Sequence, residues 1–123
     1  MKKQAILISV RPKWVHLILA GTKTLEVRKT KPRCDLPIKC FIYCSKSKLA
    51  KDSSISGKVV GSFILKRIDK HNVEEKIIEK SCLTREELDK YMGETKIYYI
   101  WWINNLKTTK IKIYKAPQSW CYI

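Results

Sequence analysis

The sequence predicts an α+β protein in which antiparallel or mixed strands form a curved sheet or small barrel with a few short helices packed around it. Most apolar segments alternate with a period of two, which is typical of half-buried strands. Only a few stretches have helical spacing, and two of them carry capping residues. The chain has 123 residues and 45% hydrophobic content, so residues 1–123 are expected to form a single domain around one core.

The first half of the chain is expected to contain one helix between strands. Strands are predicted at residues 5–10, 24–28 and 38–44. Pro12 suits the first turn of a helix, and Gly21 stands where a left-handed cap would end that helix. Residues 45–58 are rich in Ser and Lys and predict a mobile surface loop.

The second half is expected to mix strands with helices. Strands are predicted at residues 59–68, 98–102 and 109–114, with Gly61 as a bulge and with Ile111 and Ile113 facing inward. A weak helix is predicted at 73–80 and a stronger one at 84–92, where Thr84 and Glu87 form a capping box, Leu83 and Leu88 a hydrophobic staple, and Gly93 the stop. Asn104 and Asn105 predict a turn.

The aromatic strand at 98–102 presents two pairs of rings on opposite faces. Tyr99 and Trp101 share one face, and Tyr98 and Trp102 share the other. At least one pair is expected in the core, and the other is a candidate platform on which a base could stack.

Net charge indicates a polyanionic partner. The chain carries +15, and residues 1–50 contribute +10 of it from 12 basic and 2 acidic side chains. Residues 51–123 contribute the remaining +5, from 14 basic and 9 acidic side chains. The first half is therefore expected to carry a positive face, although a lysine-rich composition that only confers solubility is the alternative.

Neither a membrane nor a cofactor is expected. The longest apolar runs, 5–10 and 97–103, are far shorter than the roughly 20 residues that span a bilayer, and no signal-peptide cleavage site follows the first run. The five cysteines show no C-x-x-C spacing, so we expect reduced thiols in a cytoplasmic protein, with Cys40 and Cys44 packed in the core and no metal site. No Gly-rich phosphate loop is present, and no cofactor is predicted.

The most informative segment runs from Gly21 to Arg28. On a strand, Glu26 and Arg28 project from the same face about 6.6 Å apart, and Lys23 at the preceding turn can lean over that face. A carboxylate between two cations stays ionised and holds their side chains, leaving the cations available to a phosphate or a base edge. The alternative is an ordinary exposed ion pair worth at most about 1 kcal/mol.

Gly21, Lys23, Glu26 and Arg28 together resemble the GxKxxExR signature of ASCH domains, which are PUA-like β-barrels related to RNA-binding modules. Residues 8–14 and 116–122 also resemble the ends of small phage and prophage ASCH-like proteins. The resemblance implies that Lys23, Glu26 and Arg28 line a cleft between the barrel and its helices.

Further candidates for nucleic-acid binding surround this motif. They are Arg11, Lys29, Lys31, Arg33, Gln118, Ser119 and Trp120. Lys29, Lys31 and Arg33 form a basic stretch stiffened by Pro32, which suits a nucleic-acid backbone or, alternatively, a solvated loop. Trp120 fits either a stacking role or the core, whereas the helical spacing of Trp14 favours the core.

Three functions are compatible with the sequence. The first is a binding module for RNA or a nucleotide derived from it, with DNA as a possible ligand. The second is a small hydrolase, because some ASCH proteins that this chain resembles act as nucleoside amidohydrolases and others as ribonucleases.

For the hydrolase, Lys23 and Glu26 are the candidate catalytic residues, with Lys23 as the base or the activator of a nucleophile. The threonine of the amidohydrolases is replaced here by Glu26, and Thr24 is only a displaced substitute. For a nuclease, His16 and His71 are the candidate acid and base, but the sequence shows no partner for either. The third function is a protein-interaction module of phage origin.

Overall fold

A computed structural model describes residues 4–72, 80–113 and 115–123 of the chain. The strands, in chain order, are β1 (Ala5–Val10), β2 (Leu25–Arg28), β3 (Ile38–Cys44), β4 (Lys58–Leu65), β5 (Ile68–Asn72), β6 (Ile97–Trp102), β7 (Asn104–Lys112) and β8 (Trp120–Tyr122). The helices are α1 (Pro12–Leu19) and α2 (Arg85–Met92), with a short 3-10 helix at Ala50–Asp52.

The strands form two sheets, which confirms the predicted α+β class. The larger sheet has the order β7-β4-β3-β1-β8, and the smaller has the order β2-β6-β5. Strands β1 and β3 are parallel, and the other pairings are antiparallel. Within the described residues, no strand pairing joins the two sheets, so they do not close into the predicted barrel. Apolar side chains of both sheets pack together instead.

Both faces of β6 are buried, which explains its nearly continuous aromatic sequence. Trp101 joins the larger core cluster with residues of β1, β3, β4 and α1. Tyr98 and Ile100 point the other way and pack with Leu25 of β2 and Leu88 of α2. A strand covered on both faces has no solvent side for polar residues, so its sequence does not alternate.

Most of the predicted elements are confirmed, including their caps. Gly21 has a φ of +80° just after α1, as the predicted left-handed cap requires, and α2 stops at Gly93, as predicted, where a φ of +58° favours glycine. The Thr84 hydroxyl accepts from the Glu87 backbone N–H while the Glu87 carboxylate accepts from the Thr84 N–H. These bonds complete the predicted capping box and satisfy two backbone donors at the start of α2.

The single strand predicted at residues 59–68 is wrong. The chain forms β4 in the larger sheet, leaves it at Lys66 and Arg67, and forms β5 in the smaller sheet. Lys66 and Arg67 interrupt the apolar run at the junction and β5 is mostly polar after Ile68, but two charged residues do not by themselves indicate that the chain changes sheet.

The predicted turn at Asn104 and Asn105 is also wrong. The chain returns from the smaller to the larger sheet at Ile103, and Asn104 already pairs with Ile64 as the first residue of β7. The last predicted strand therefore begins earlier, at residue 104 instead of 109, and Ile111 is 52% exposed instead of facing inward. Ile113 does pack against a buried cluster. The edge position of β7 leaves one of its sides open to solvent.

The predicted helix at 73–80 and the predicted loop at 45–58 are the remaining elements. The helix predicted at 73–80 lies outside the described residues except for Lys80, which is in a turn. The surface loop at 45–58 is present, but it contains the 3-10 helix and buries the Asp52 side chain. Across the described part of the chain, neither helix has the length and apolar character needed to cross a bilayer.

Replacement of Gly61 by alanine should destabilise the larger sheet. The register shifts at this point against both β3 and β7, as the predicted bulge requires. A Cβ atom on Gly61 would lie 2.7 Å from the Lys107 carbonyl oxygen, so the strands would have to separate. We expect Gly61→Ala to lower the free energy of unfolding by about 1–3 kcal/mol in urea titrations followed by tryptophan fluorescence. Thr108→Ala, at an exposed position of β7, is the control, and equal midpoints for the two variants would contradict this packing.

Candidate nucleic-acid interface

A buried ionic cluster, here called the motif triad, lies at the centre of the candidate site and consists of Lys23, Glu26 and Arg28. The Lys23 ammonium lies 3.4 Å from the Glu26 carboxylate. Arg28 donates to the same carboxylate through Nη2 at 2.7 Å and Nε at 3.1 Å. Strand β2 makes this geometry possible, because Glu26 and Arg28 project from one face while Leu25 and Val27 anchor the other face in the core.

The motif triad keeps Glu26 ionised inside the protein. Burial alone would raise the pKa of this carboxyl, but the charges of Arg28 and Lys23 and their hydrogen bonds outweigh burial and hold the pKa below its ordinary value. A buried carboxylate with two cationic partners is satisfied, whereas any one member without the others would be a buried, unpaired charge.

The two cations of the motif triad are less available to a ligand than the sequence predicted. Lys23 is 1% exposed, and its ammonium also donates to the Ser81 carbonyl oxygen. Arg28 additionally donates to the Ser9 carbonyl oxygen and, at 3.1 Å, to the Ser119 hydroxyl. The expectation that both cations are free to meet a ligand is therefore wrong for Lys23, and only the edge of Arg28 reaches the surface.

Arg28 and its neighbours bring two distant segments together at the surface. Its bond to Ser119 ties β2 to the segment before β8. The Trp120 indole donates to the Thr30 hydroxyl at 2.9 Å, and the Arg33 backbone N–H donates to the Tyr122 hydroxyl at 2.8 Å. The loop after β2 and the closing segment of the chain therefore lie side by side.

The exposed side chains on these two segments form what we call the rim surface. It consists of Lys29, Lys31, Arg33, Gln118 and Ser119, all of which are exposed. Lys29 lies 4.9 Å from the centre of the Tyr91 ring and Lys31 lies 5.9 Å from that of Tyr99, so aromatic faces support two of the cations.

Two candidate tryptophans are partly buried. Trp120 packs edge-on against Trp101 and Tyr122 at ring distances of 5.6 and 5.5 Å, which supports a packing role more than a free stacking face. Trp14 packs against the larger core, as expected, and also carries Lys13 and Lys23 over its ring at 4.6 and 5.1 Å.

The aromatic strand leaves no unoccupied platform among the described residues. Tyr98 and Trp101 are fully buried. Tyr99 packs against the larger core cluster, and Trp102 packs against the smaller one while its indole donates to Asp69 at 2.8 Å.

Arg11 and Thr24 lie apart from the triad's hydrogen bonds. Arg11 is exposed just before α1 and faces a groove formed with the loop at 45–52. Thr24 is exposed, and its backbone bonds to Lys80 and Ile103.

A second polar network was not apparent from the sequence. His16 Nε2 lies 2.8 Å from Asp52 Oδ1, and the Ser47 hydroxyl donates to Asp52 Oδ2 at 2.6 Å. Hydrogen bonds from Ser47 and His16 lower the pKa of the Asp52 carboxyl. His16 therefore has the partner that the sequence did not reveal, because 36 residues separate it from Asp52. His71 lies in β5, and its ring stacks on that of Tyr98.

The five cysteines are unpaired thiols, and two of them pack in the core. All five are free thiols, and Cys40 and Cys44 are buried in the larger core, as expected. Burial raises the pKa of Cys40 to about 12 and that of Cys44 to about 11, so both thiols stay protonated and unreactive. No group of three or more His, Cys, Asp or Glu side chains within the part of the chain that the structure describes is arranged to hold a metal ion.

Replacing Glu26 by glutamine should destabilise the protein in a pH-dependent way. The variant leaves Lys23 and Arg28 without their shared counter-charge, and we expect a loss of about 3–5 kcal/mol in the free energy of unfolding at neutral pH. The folded-state pKa of Glu26 lies below the ordinary value of 4.5, so its contribution is present above pH 4.5 and disappears as the pH falls through the folded-state value.

The difference between wild type and Glu26→Gln should therefore narrow in acid, as measured by urea unfolding at several pH values. Glu94→Gln removes an exposed carboxylate and is the matched control. A gap between wild type and Glu26→Gln that does not change with pH would contradict the ionised triad.

Comparison with known proteins identifies the family of the chain. The family model described as the ASCH domain matches residues 8–116. No curated protein matches the sequence. The solved structure of an ASCH protein from Zymomonas mobilis is similar, with 19% sequence identity and a TM-score of 0.81 over 97% of this chain and 87% of that one.

Two variants of that bacterial protein show the same likeness. A tyrosine-to-phenylalanine variant and a serine-to-alanine variant are each 18% identical to this chain with a TM-score of 0.81, and they cover 97% of it. The match covers 89% of the first variant and 87% of the second. At this identity the structures show a shared fold, and the family match shows that the chain belongs to the ASCH domain family, a PUA-like group whose members generally bind RNA.

Proposed function

We propose that this ASCH domain binds RNA, or a nucleotide derived from it, at the rim surface above the motif triad. Phosphates would be held by Lys29, Lys31 and Arg33, while Gln118 and Ser119 offer hydrogen-bonding groups beside them. DNA is a weaker candidate ligand, because only RNA presents the 2′-hydroxyl to such polar side chains.

The observation that carries this proposal is the pairing of the two segments through Arg28. Its guanidinium bonds to Glu26 on one side and to Ser119 on the other, so one buried anion fixes the position of the exposed rim. Three exposed cations are thereby held on a supported surface in a chain whose net charge is +15. Positioned cations lose less conformational freedom on binding than flexible ones do.

In this proposal the motif triad acts by positioning the binding surface. Lys23 is too deeply buried to meet a phosphate directly, and its ammonium is committed to Ser81 and Glu26. Arg28 uses Nε and Nη2 for its bonds to Glu26 and Ser9, and only Nη1, which bonds to Ser119, lies at the edge of the rim. Removal of Lys23 is expected to weaken binding by loosening the rim.

A hydrolase that uses Lys23 as a base finds less support. A general base needs an unprotonated nitrogen within reach of the substrate. Lys23 is 1% exposed, and its Nζ already contacts the Glu26 carboxylate and the Ser81 carbonyl oxygen, so a substrate at the surface does not reach it. Binding is therefore the function that these contacts support best.

We also propose that the protein works in a reducing, cytoplasmic compartment, because all five cysteines are free thiols. The relation to phage or prophage proteins that residues 8–14 and 116–122 suggest stays a prediction.

Removal of two rim cations should weaken RNA binding. We expect Lys31→Ala, Arg33→Ala to lower the affinity for a fluorescein-labelled oligouridylate by about tenfold, measured by fluorescence anisotropy at low salt. Because two phosphate contacts would be lost, the slope of log affinity against log salt should fall by about 1.4, at roughly 0.7 for each contact on a single strand.

A matched control separates this site from net charge. Lys107→Ala, Lys110→Ala removes the same two charges from β7, at the opposite edge of the larger sheet from β8. Equal losses in the two double variants would mean that net charge alone attracts RNA. An absence of binding to either RNA or DNA would contradict the proposal and favour a protein-interaction module.

A further inference from the structure

A second basic surface, here called the loop groove, lies between residues 11–14 at the start of α1 and the loop at 45–52, with Glu87 of α2 at its border. Its volume is about 460 Å³, which is within the range of ligand sites, but it is open along its length. None of its residues belongs to the motif triad or to the rim surface.

The loop groove presents cations that the fold has not neutralised. Arg11, Lys46 and Lys51 are exposed, and none of them forms an ion pair with another residue in the described ranges. Three such side chains around one channel attract an anion more strongly than isolated surface lysines do, because their fields add.

The two carboxylates that border the loop groove are already occupied. Asp52 is 2% exposed, and its two oxygens contact His16 and the Ser47 hydroxyl. Glu87 accepts from Lys13 at 2.8 Å through one oxygen and from the Thr84 backbone N–H through the other. The Asp52 charge also acts on Lys51, but the four cations of the lining, Arg11, Lys13, Lys46 and Lys51, outnumber its two carboxylates and leave a net charge of +2.

The aromatic ring at this groove is not available for stacking. Trp14 carries the Lys13 ammonium at 4.6 Å and the Lys23 ammonium at 5.1 Å from its ring centre, and it packs against the larger core. With cations exposed and no free aromatic face among its described residues, the loop groove suits a phosphate backbone better than a base.

Asp52 sets the position of the loop that carries two of the cations. Its backbone carbonyl accepts from Ile55 and Ser56, while its side chain reaches His16 on α1 and Ser47 at the start of the loop. The carboxylate thereby connects the loop to α1, and Lys46 and Lys51 line the groove together with Arg11.

We propose that the loop groove is a second, sequence-independent contact for the backbone of single-stranded RNA, and that Asp52 is the positioning residue that builds it. This rests on the proposed function in that RNA is the ligand, but it concerns a different surface. A strand bound at the rim would gain affinity by continuing into the loop groove, so the gain should depend on the length of the RNA.

The first experiment compares double variants that each remove two positive charges. Lys46→Ala, Lys51→Ala should bind an oligouridylate of about 12 nucleotides about tenfold more weakly than wild type, with a salt slope lower by about 1.4. The same variant should bind uridine monophosphate as wild type does, because a single nucleotide does not reach both surfaces. Lys107→Ala, Lys110→Ala is again the matched control.

The outcomes distinguish this proposal from the first one. If Lys46→Ala, Lys51→Ala binds like the control while Lys31→Ala, Arg33→Ala loses affinity, the proposal of a contact in the loop groove is wrong and the rim proposal stands. If only Lys46→Ala, Lys51→Ala loses affinity, the rim proposal is wrong and the loop groove stands. If wild type binds no RNA, both proposals are wrong.

The second experiment tests whether Asp52 positions the loop, because loss of its position and loss of its negative charge change RNA binding in opposite directions. Removing a carboxylate from a basic groove should strengthen the binding of RNA if only net charge matters. If Asp52 positions the loop, Asp52→Ala should instead weaken binding of the longer oligouridylate by about threefold or more. Ser47→Ala removes one anchor only and should give a smaller loss in the same direction.

Circular dichroism and a thermal melt establish that each variant is folded at the temperature of the binding assay. Tighter binding by folded Asp52→Ala, or unchanged binding by both folded variants, would overturn the positioning role.

Discussion

The Glu26 carboxylate is the interaction on which the rest of the candidate site depends. It lies buried between Lys23 and Arg28, and each of these cations also bonds to a distant part of the chain. Lys23 reaches the Ser81 carbonyl, and Arg28 reaches Ser9 of β1 and Ser119 before β8. Through its two cationic partners, this one anion connects β2 of the smaller sheet to β1 of the larger sheet, to the segment before β8 and to the segment before α2.

This arrangement separates the charges that build the surface from the charges that are available to a ligand. The two cations of the sequence motif are largely unavailable to a ligand. Lys23 is buried and bonded within the protein, and most of the Arg28 guanidinium is bonded within the protein as well. The exposed cations lie on loops that the buried groups position, with Arg28 behind the rim surface and Asp52 behind the loop groove. In both places, a buried carboxylate holds the segment that carries the exposed cations, and in the proposed function this would lower the conformational cost of binding RNA.

Local patterns predicted those parts of the fold that depend on local physics. Strand alternation located β2 and β3, and capping residues located both ends of α2, because neighbours within a few residues determine these features. The sheet changes at Lys66 and Ile103 were missed because the sheet that a strand joins depends on partner strands that are distant in the sequence. The depth of Lys23 was missed because its partner Ser81 is 58 residues away. The same reason applies to Asp52, whose role depends on a histidine in α1.

The most direct test of the central claim is a titration of isotope-labelled protein with a short oligouridylate, followed by the backbone amide resonances in nuclear magnetic resonance spectra. A rim that is positioned by the motif triad predicts the largest shifts at residues 29–33 and 118–120, with smaller shifts at the buried amides of residues 26–28 behind them. Shifts spread evenly over the exposed lysines, with no concentration at these two segments, would contradict the claim.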